Sequence, residues 1–175
     1  MRTYMGKKFY PQDLRVEDIC IEDIVHGLSG ELRFGGQSPN RITVAQHSVW
    51  VAEKLPDHLK LAGLLHDASE AYLKDIPSPV KDLLPDYKRL EHDLMCVIAD
   101  VFGLDDEFWH HPLVKQADAD TLLYEMYLGW CDLERFDDEW RMLNRLYQNM
   151  GGGRYVYRDM LHQYKTKSSG YANPR

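Results

Sequence analysis

His66 and Asp67 stand side by side within LKLAGLLHDASEAYL, residues 59–73, where Leu61, Leu64, Leu65, Ala68, Ala71 and Tyr72 recur at helical spacing. A helix this apolar belongs in a core, and an ionisable pair carried into a core is costly unless something satisfies it. The chain must therefore bring further polar groups to the pair from elements that pack against it. His47 and Asp118, each in a segment patterned as a helix, are candidates, and the four together offer imidazole nitrogen and carboxylate oxygen. Such donors suit Zn, Mn, Fe, Co or Ni. A bound ion would satisfy the pair and generate a nucleophile from water.

The rest of the pattern is helical as well. Residues 1–15 read as an extended lead-in, with Pro11 disfavouring helix before it. Ile21, Ile24, Val25 and Leu28 predict a helix within residues 16–32 that ends near Ser29-Gly30, before the loop FGGQSPNRI. Thr43 and Gln46 match a capping box at the head of a helix over residues 44–55, with His47 in its first turns. Residues 59–73 predict one continuous helix carrying His66, Asp67 and Glu70. The two prolines of Asp75-Ile76-Pro77-Ser78-Pro79 predict a loop. A long helix is expected over residues 87–102, ended by Gly103. Another opens at Pro112, carries Asp118, Leu122 and Glu125, and runs to residue 130. Residues 136–150 are expected to form a final major helix, stopped by Gly151-Gly152-Gly153, and RYVYRDMLHQY a short one before a polar, frayed end. Nothing alternates strictly enough to argue for a sheet. The expectation is all-α: a single-domain helical bundle over residues 1–175, with a core over residues 16–150 and a C-terminal tail over residues 151–175.

A chain of 175 residues with 44% hydrophobic content is long and apolar enough for one domain with a packed core. The net charge of −7 and the lack of a sustained Lys/Arg patch argue against long nucleic acid as a partner, while leaving room for a local nucleotide site. Cys20, Cys96 and Cys131 are odd in number and far apart with no CxxC, which argues against a disulfide framework or a Cys-rich zinc site and fits a reducing cytoplasm. No leading apolar run resembles a signal peptide, and no stretch reaches the length of a membrane span, so no membrane partner is expected.

On a continuous helix Glu70 lies one turn beyond His66. Glu70 and Asp75 can orient a water or move protons. Any phosphate in such a site needs cations, and Arg33 and Lys81 stand beside Gly- and Pro-marked loops. Bland readings compete at several positions. His47 is also readable as an ordinary helix histidine, Asp118 as a solvated carboxylate, Asp75 as a loop tether, and Lys81 as the partner of a helix carboxylate. Glu125 reads as structural, hydrogen-bonding a ligand or an arginine. His58, His92, His110 and His111 read as surface or loop residues. Trp130, Phe136, Trp140 and Tyr147 are spaced for core or oligomer packing.

The segments EDIVHGLSGELRF, VAQHSVWVA, LLHDASEAYLKDIPSPVK and VKQADADTLLYE together resemble the HD-domain phosphohydrolase superfamily, whose pattern is H…HD…D, over roughly residues 16–130. Within it the chain is most similar to YfbR-like 5′-deoxynucleotidases of bacteria and to phage dATP triphosphohydrolases. The resemblance implies an HD-type helical fold, a divalent transition metal held by His47, His66, Asp67 and Asp118, and an additional Mg. It implies catalytic help from Glu70 and Asp75 and substrate contact from Arg33, Lys81 and Pro79. It also implies a homo-oligomeric enzyme in the cytoplasm of a bacterium or a phage-infected host. ADAD offers Asp118 and Asp120 as fourth ligand; Asp118 matches the KxAD form and lies seven residues before Glu125 on one helix face, and is preferred. The expected activity is cleavage of the 5′-phosphoester of a deoxynucleotide, leaning to a dNTP with release of deoxynucleoside and triphosphate. A 5′-deoxynucleotidase acting on dNMPs and a non-catalytic nucleotide sensor are the alternatives, and hydrolysis of cyclic nucleotides or (p)ppGpp is a related one.

Overall fold

The computed structural model describes residues 1–130 and 154–168, and the described residues are mostly helical with no β-strand, only two isolated bridges. The helices are α1 (Ile21–Gly30), α2 (Val44–Glu53), α3 (Lys60–Leu65), α4 (Glu70–Leu73), α5 (Ser78–Lys81), α6 (Pro85–Phe102), α7 (Pro112–Trp130) and α8 (Arg154–Ser168). The expected helix over residues 136–150 and the frayed end beyond residue 168 lie outside the described residues.

Local chemistry accounts for most boundaries. Thr43 Oγ1 accepts from Gln46 N at 3.2 Å while Gln46 Oε1 accepts from Thr43 N at 2.9 Å, so both halves of the capping box at α2 are made. Pro85 opens α6 two residues before the predicted start, its missing N–H costing nothing at a first-turn position. Gly103 closes α6 in the left-handed conformation with φ 65°. Val16–Asp18 forms a 3-10 turn rather than the start of α1, and the proline loop is shorter than predicted because Pro79 sits in the first turn of the one-turn helix α5, where proline is tolerated.

Two departures bear on the site. The helix expected over residues 59–73 is broken: between α3 and α4, Ala68 N donates to Leu65 O at 3.0 Å, Glu70 N to Asp67 O at 3.1 Å and Ala71 N to Ala68 O at 3.3 Å. These are the three-residue bonds of a tighter turn, which swing His66 and Asp67 round relative to a regular helix. The second concerns the segment read as a tail. Its helix α8 buries Tyr157, Leu161 and Tyr164 in the common core and packs on α1, α2 and α3.

Glycines permit the closest approaches. A Cβ at Gly27 of α1 would lie 2.7 Å from the Ala71 carbonyl oxygen of α4. A Cβ at Gly63 of α3 would lie 3.0 Å from Ala52 Cα of α2. These contacts close α1 on α4 and α3 on α2, and Trp50, Ile24, Leu28, Leu64, Leu65 and Ile98 are buried in the apolar interior.

Candidate metal centre

His47 on α2 and His66 on the turn after α3 face each other with their Nε2 atoms 3.2 Å apart. Their other nitrogens are occupied. His66 Nδ1 lies 2.7 Å from the Gly63 carbonyl oxygen and His47 Nδ1 lies 2.9 Å from Glu125 Oε1. A carbonyl and a carboxylate only accept, so each Nδ1 carries the proton and each Nε2 presents its lone pair. Two facing lone pairs at that distance repel unless a proton or a cation lies between them.

Carboxylates complete the cluster. Asp67 Oδ2 is 3.1 Å from His66 Nε2 and 3.6 Å from His47 Nε2; Asp118 Oδ1 on α7 is 3.2 Å from His47 Nε2 and 3.8 Å from His66 Nε2. His47, His66 and Asp67 form a group whose ligand atoms all lie within 4.8 Å of one another, which could hold a metal ion, and Asp118 closes on it. Ligand atoms about 2.0–2.2 Å from a shared ion lie roughly 3 Å or slightly more from each other, and the observed spacings fit that requirement. Asp120, the alternative in the ADAD run, is exposed and accepts from Gln116 Nε2 at 2.9 Å.

The electrostatics carry the same demand for positive charge. Burial opposes protonation of His66, but Asp67 and Asp118 outweigh it and its pKa is pushed up to about 10. Burial likewise opposes ionisation of Asp67 and Asp118, yet the two imidazoles hold both carboxyls well below the usual range. Without an ion, a proton on His66 fills the place that a cation fills when bound.

Around the cluster, Glu125 is fully buried and accepts from both His47 and Arg33, the latter from Nε at 2.8 Å. Burial opposes its ionisation, but His47 and Arg33 keep it below the usual range. The sequence reading of Glu125 as a hydrogen-bond partner of a ligand or an arginine left that choice open, and the fold makes both bonds. Arg33 is held at the start of α2 by the bridge between Leu32 and Thr43 and by its N–H donating to Ile42 O at 3.0 Å. Its Nη1 lies 3.6 Å from Asp67 Oδ2. Phe34, next in the chain, sits at φ 57°, a strained value for a non-glycine residue, and Lys74 beside Asp75 sits at φ 85°.

Glu70 is buried 3.8 Å from Lys81 Nζ, and its Oε2 reaches no hydrogen-bond partner among the described residues. Burial, with Asp67 and Asp75 adding to it, raises its pKa well above the ordinary value, and burial raises that of half-buried Asp75. Lys81 pairs with Glu91 of α6 at 2.6 Å as well as with Glu70, which matches the bland reading of it as a helix-carboxylate partner while leaving it on the wall of the site. Pro79 is exposed.

A cleft of about 390 Å³ opens over His66 and Asp67 and is lined further out by Lys81, Lys88, His92, Trp109 and Lys115. His92 and His110, read from sequence as plain surface residues, both stand on its wall. Only the three-residue spacing of Lys115 from Asp118 hints at this locally; α6 and the turn Phe108–His110 meet the cluster through tertiary packing.

No protein-family model matches the chain. It is 43% identical over 104 residues to the uncharacterized protein YfdR of Escherichia coli K12 and 35% identical over 113 residues to an uncharacterized protein of Rhodobacter capsulatus. Each alignment takes in 59% of this chain and 58% of the relative, so the chain spans somewhat over half the length of the curated relatives it matches. None of the described helices is long and apolar enough to cross a membrane.

Proposed function

We propose that the protein is a metal-dependent phosphohydrolase of the HD-domain type that cleaves the 5′-phosphoester of deoxynucleotides, acting on a dNTP to release deoxynucleoside and triphosphate. The observation that carries this reading is the pair of His47 and His66 Nε2 lone pairs facing each other at 3.2 Å with Asp67 and Asp118 beside them. A divalent ion held by these four residues supplies Lewis acidity toward a phosphoryl oxygen and makes water a stronger nucleophile.

The chain's own residues divide the remaining work. Arg33, fixed by Glu125 with its free edge toward Asp67, holds phosphate oxygens and offsets their charge. Lys81 adds positive charge from the other wall. Water attacks phosphorus, its proton passes to Asp75, and the bond from phosphorus to the 5′-oxygen breaks. Glu70, whose protonated form burial favours and whose Oε2 has no hydrogen-bond partner among the described residues, gives its proton to the leaving 5′-oxygen. Leu64, Leu65 and Ala68, all buried, back the site with apolar groups and strengthen the electrostatic interactions within it.

The test is chromatographic product analysis after incubation with dNMPs, dNTPs and ribonucleotides in the presence of Mn, Co, Zn or Mg. Deoxynucleoside together with intact triphosphate from a dNTP supports the proposal. Orthophosphate released from monophosphates alone makes the protein a 5′-deoxynucleotidase. No product from any of them, with metal bound, favours a nucleotide sensor.

A further inference from the structure

We propose that the outer cleft is a polyphosphate subsite in which Lys88, Lys115 and His110 receive the phosphates beyond the one held by Arg33 and the candidate metal centre. This deepens the phosphohydrolase reading and rests on it for the position of the first phosphate. The chain carries a net charge of −7, yet this one cleft gathers three lysines and three histidines on its walls. Of the carboxylates that face it, Glu91 is already taken by Lys81 at 2.6 Å and Asp67 belongs to the metal cluster. Lys88 and His92 lie four residues apart on one face of α6, and Lys115 stands across from them at the start of α7.

The present partners of the two outer lysines are weak competitors. Lys88 pairs with Asp82 at 2.6 Å and Lys115 with Asp118 Oδ2 at 3.1 Å, and both ammonium groups are about half exposed. Exposed pairs of this kind contribute little, so exchanging a carboxylate for a multiply charged phosphate is favourable. Lys115 also joins the two regions, since it touches Asp118 of the cluster while lining the cleft. A monophosphate occupies the cluster end and leaves the outer lysines unused. A linear chain of phosphates uses both.

The experiment is isothermal titration calorimetry of the full chain, with Mn²⁺ at the same free concentration in cell and syringe, with sodium tripolyphosphate and separately with orthophosphate. Tripolyphosphate is expected to bind at least about tenfold more tightly than orthophosphate, and Lys88→Gln to weaken it by about 5- to 10-fold with the orthophosphate affinity kept. Lys88 pairs with Asp82 rather than with a member of the cluster, so its loss is read apart from any effect on metal. Lys115→Gln and His110→Gln are expected to act in the same direction. Equal affinity for the two anions, or undiminished tripolyphosphate binding in Lys88→Gln, overturns the proposal. Turnover separates the two readings. Hydrolysis of a dNTP with an unchanged KM in Lys88→Gln sinks the subsite and leaves the hydrolase. Tripolyphosphate binding that depends on Lys88, with no nucleotide turned over, keeps the subsite and sinks the hydrolase.

Discussion

The Tyr157 hydroxyl of α8 donates to the Leu64 carbonyl at 2.8 Å, a bond that ties the C-terminal helix to the turn carrying His66 and Asp67. In a continuous helix that carbonyl would accept from Ala68 N, but the tightened turn sends Ala68 N to Leu65 O. Tyr157 thus satisfies a backbone acceptor that the irregular turn would otherwise bury unpaired.

Tyr157→Phe should therefore cost about 1–2 kcal/mol, with the ring still filling its place in the core. Amide exchange at Ala68 and Ser69 should speed up. Denaturant unfolding together with hydrogen exchange checks both; exchange at the turn unchanged from the parent would mean the bond does not hold it.

Glu125 fixes a candidate metal ligand and a candidate phosphate binder with one buried carboxylate. Glu125→Gln keeps the size but replaces an acceptor with a donor, and should lower metal affinity by about 10- to 100-fold. Arg33→Ala leaves the buried carboxylate with His47 alone and without its guanidinium, so a loss of about 3 kcal/mol of stability should accompany any effect on substrate affinity. Competition with a fluorescent chelator measures the first, and thermal melts of the metal-free protein the second.

Glu70 gives a pH dependence whose sign can be worked out. Its folded pKa is raised above the unfolded one, so the folded state binds more protons over the interval between them. The parent loses stability as pH rises from about the ordinary carboxyl value through the folded pKa, at about 1.4 kcal/mol per pH unit. Glu70→Gln removes this loss. The difference in unfolding free energy between variant and parent should be flat under acid conditions and should grow in favour of the variant toward neutral pH. A constant difference from pH 4 to 8 would show that Glu70 is not held neutral.

The two close-approach glycines should separate fold from site. Gly27→Ala places a Cβ against the Ala71 backbone and should cost about 2–3 kcal/mol. Gly63→Ala presses on Ala52 Cα and the end of Leu55, pushing α3 away from α2 and with it His66 away from His47. Its main effect should be on metal affinity, by about tenfold, measured by calorimetric titration with Mn²⁺; equal effects of the two variants on metal affinity would contradict this geometry.

The sequence by itself determined what depends on near neighbours: the all-helical character, the capping box at Thr43, the proline start of α7, the left-handed stop at Gly103 and the His66-Asp67 pair as a demand for compensating charge. These rest on side chains three or four residues apart and on backbone limits of single residues, which any reader of the chain can see. Tertiary structure decided the rest. It tightened the turn at residues 66–69, because packing on α1 and α2 overrode the helical periodicity there. It placed Tyr157 under that turn, so the segment read as a tail became core, and it brought His92, Trp109 and His110 to the cleft. Those positions follow from how helices close around Gly27 and Gly63 across connections that carry no periodicity, and a contact between residues tens of positions apart leaves no local trace in either partner.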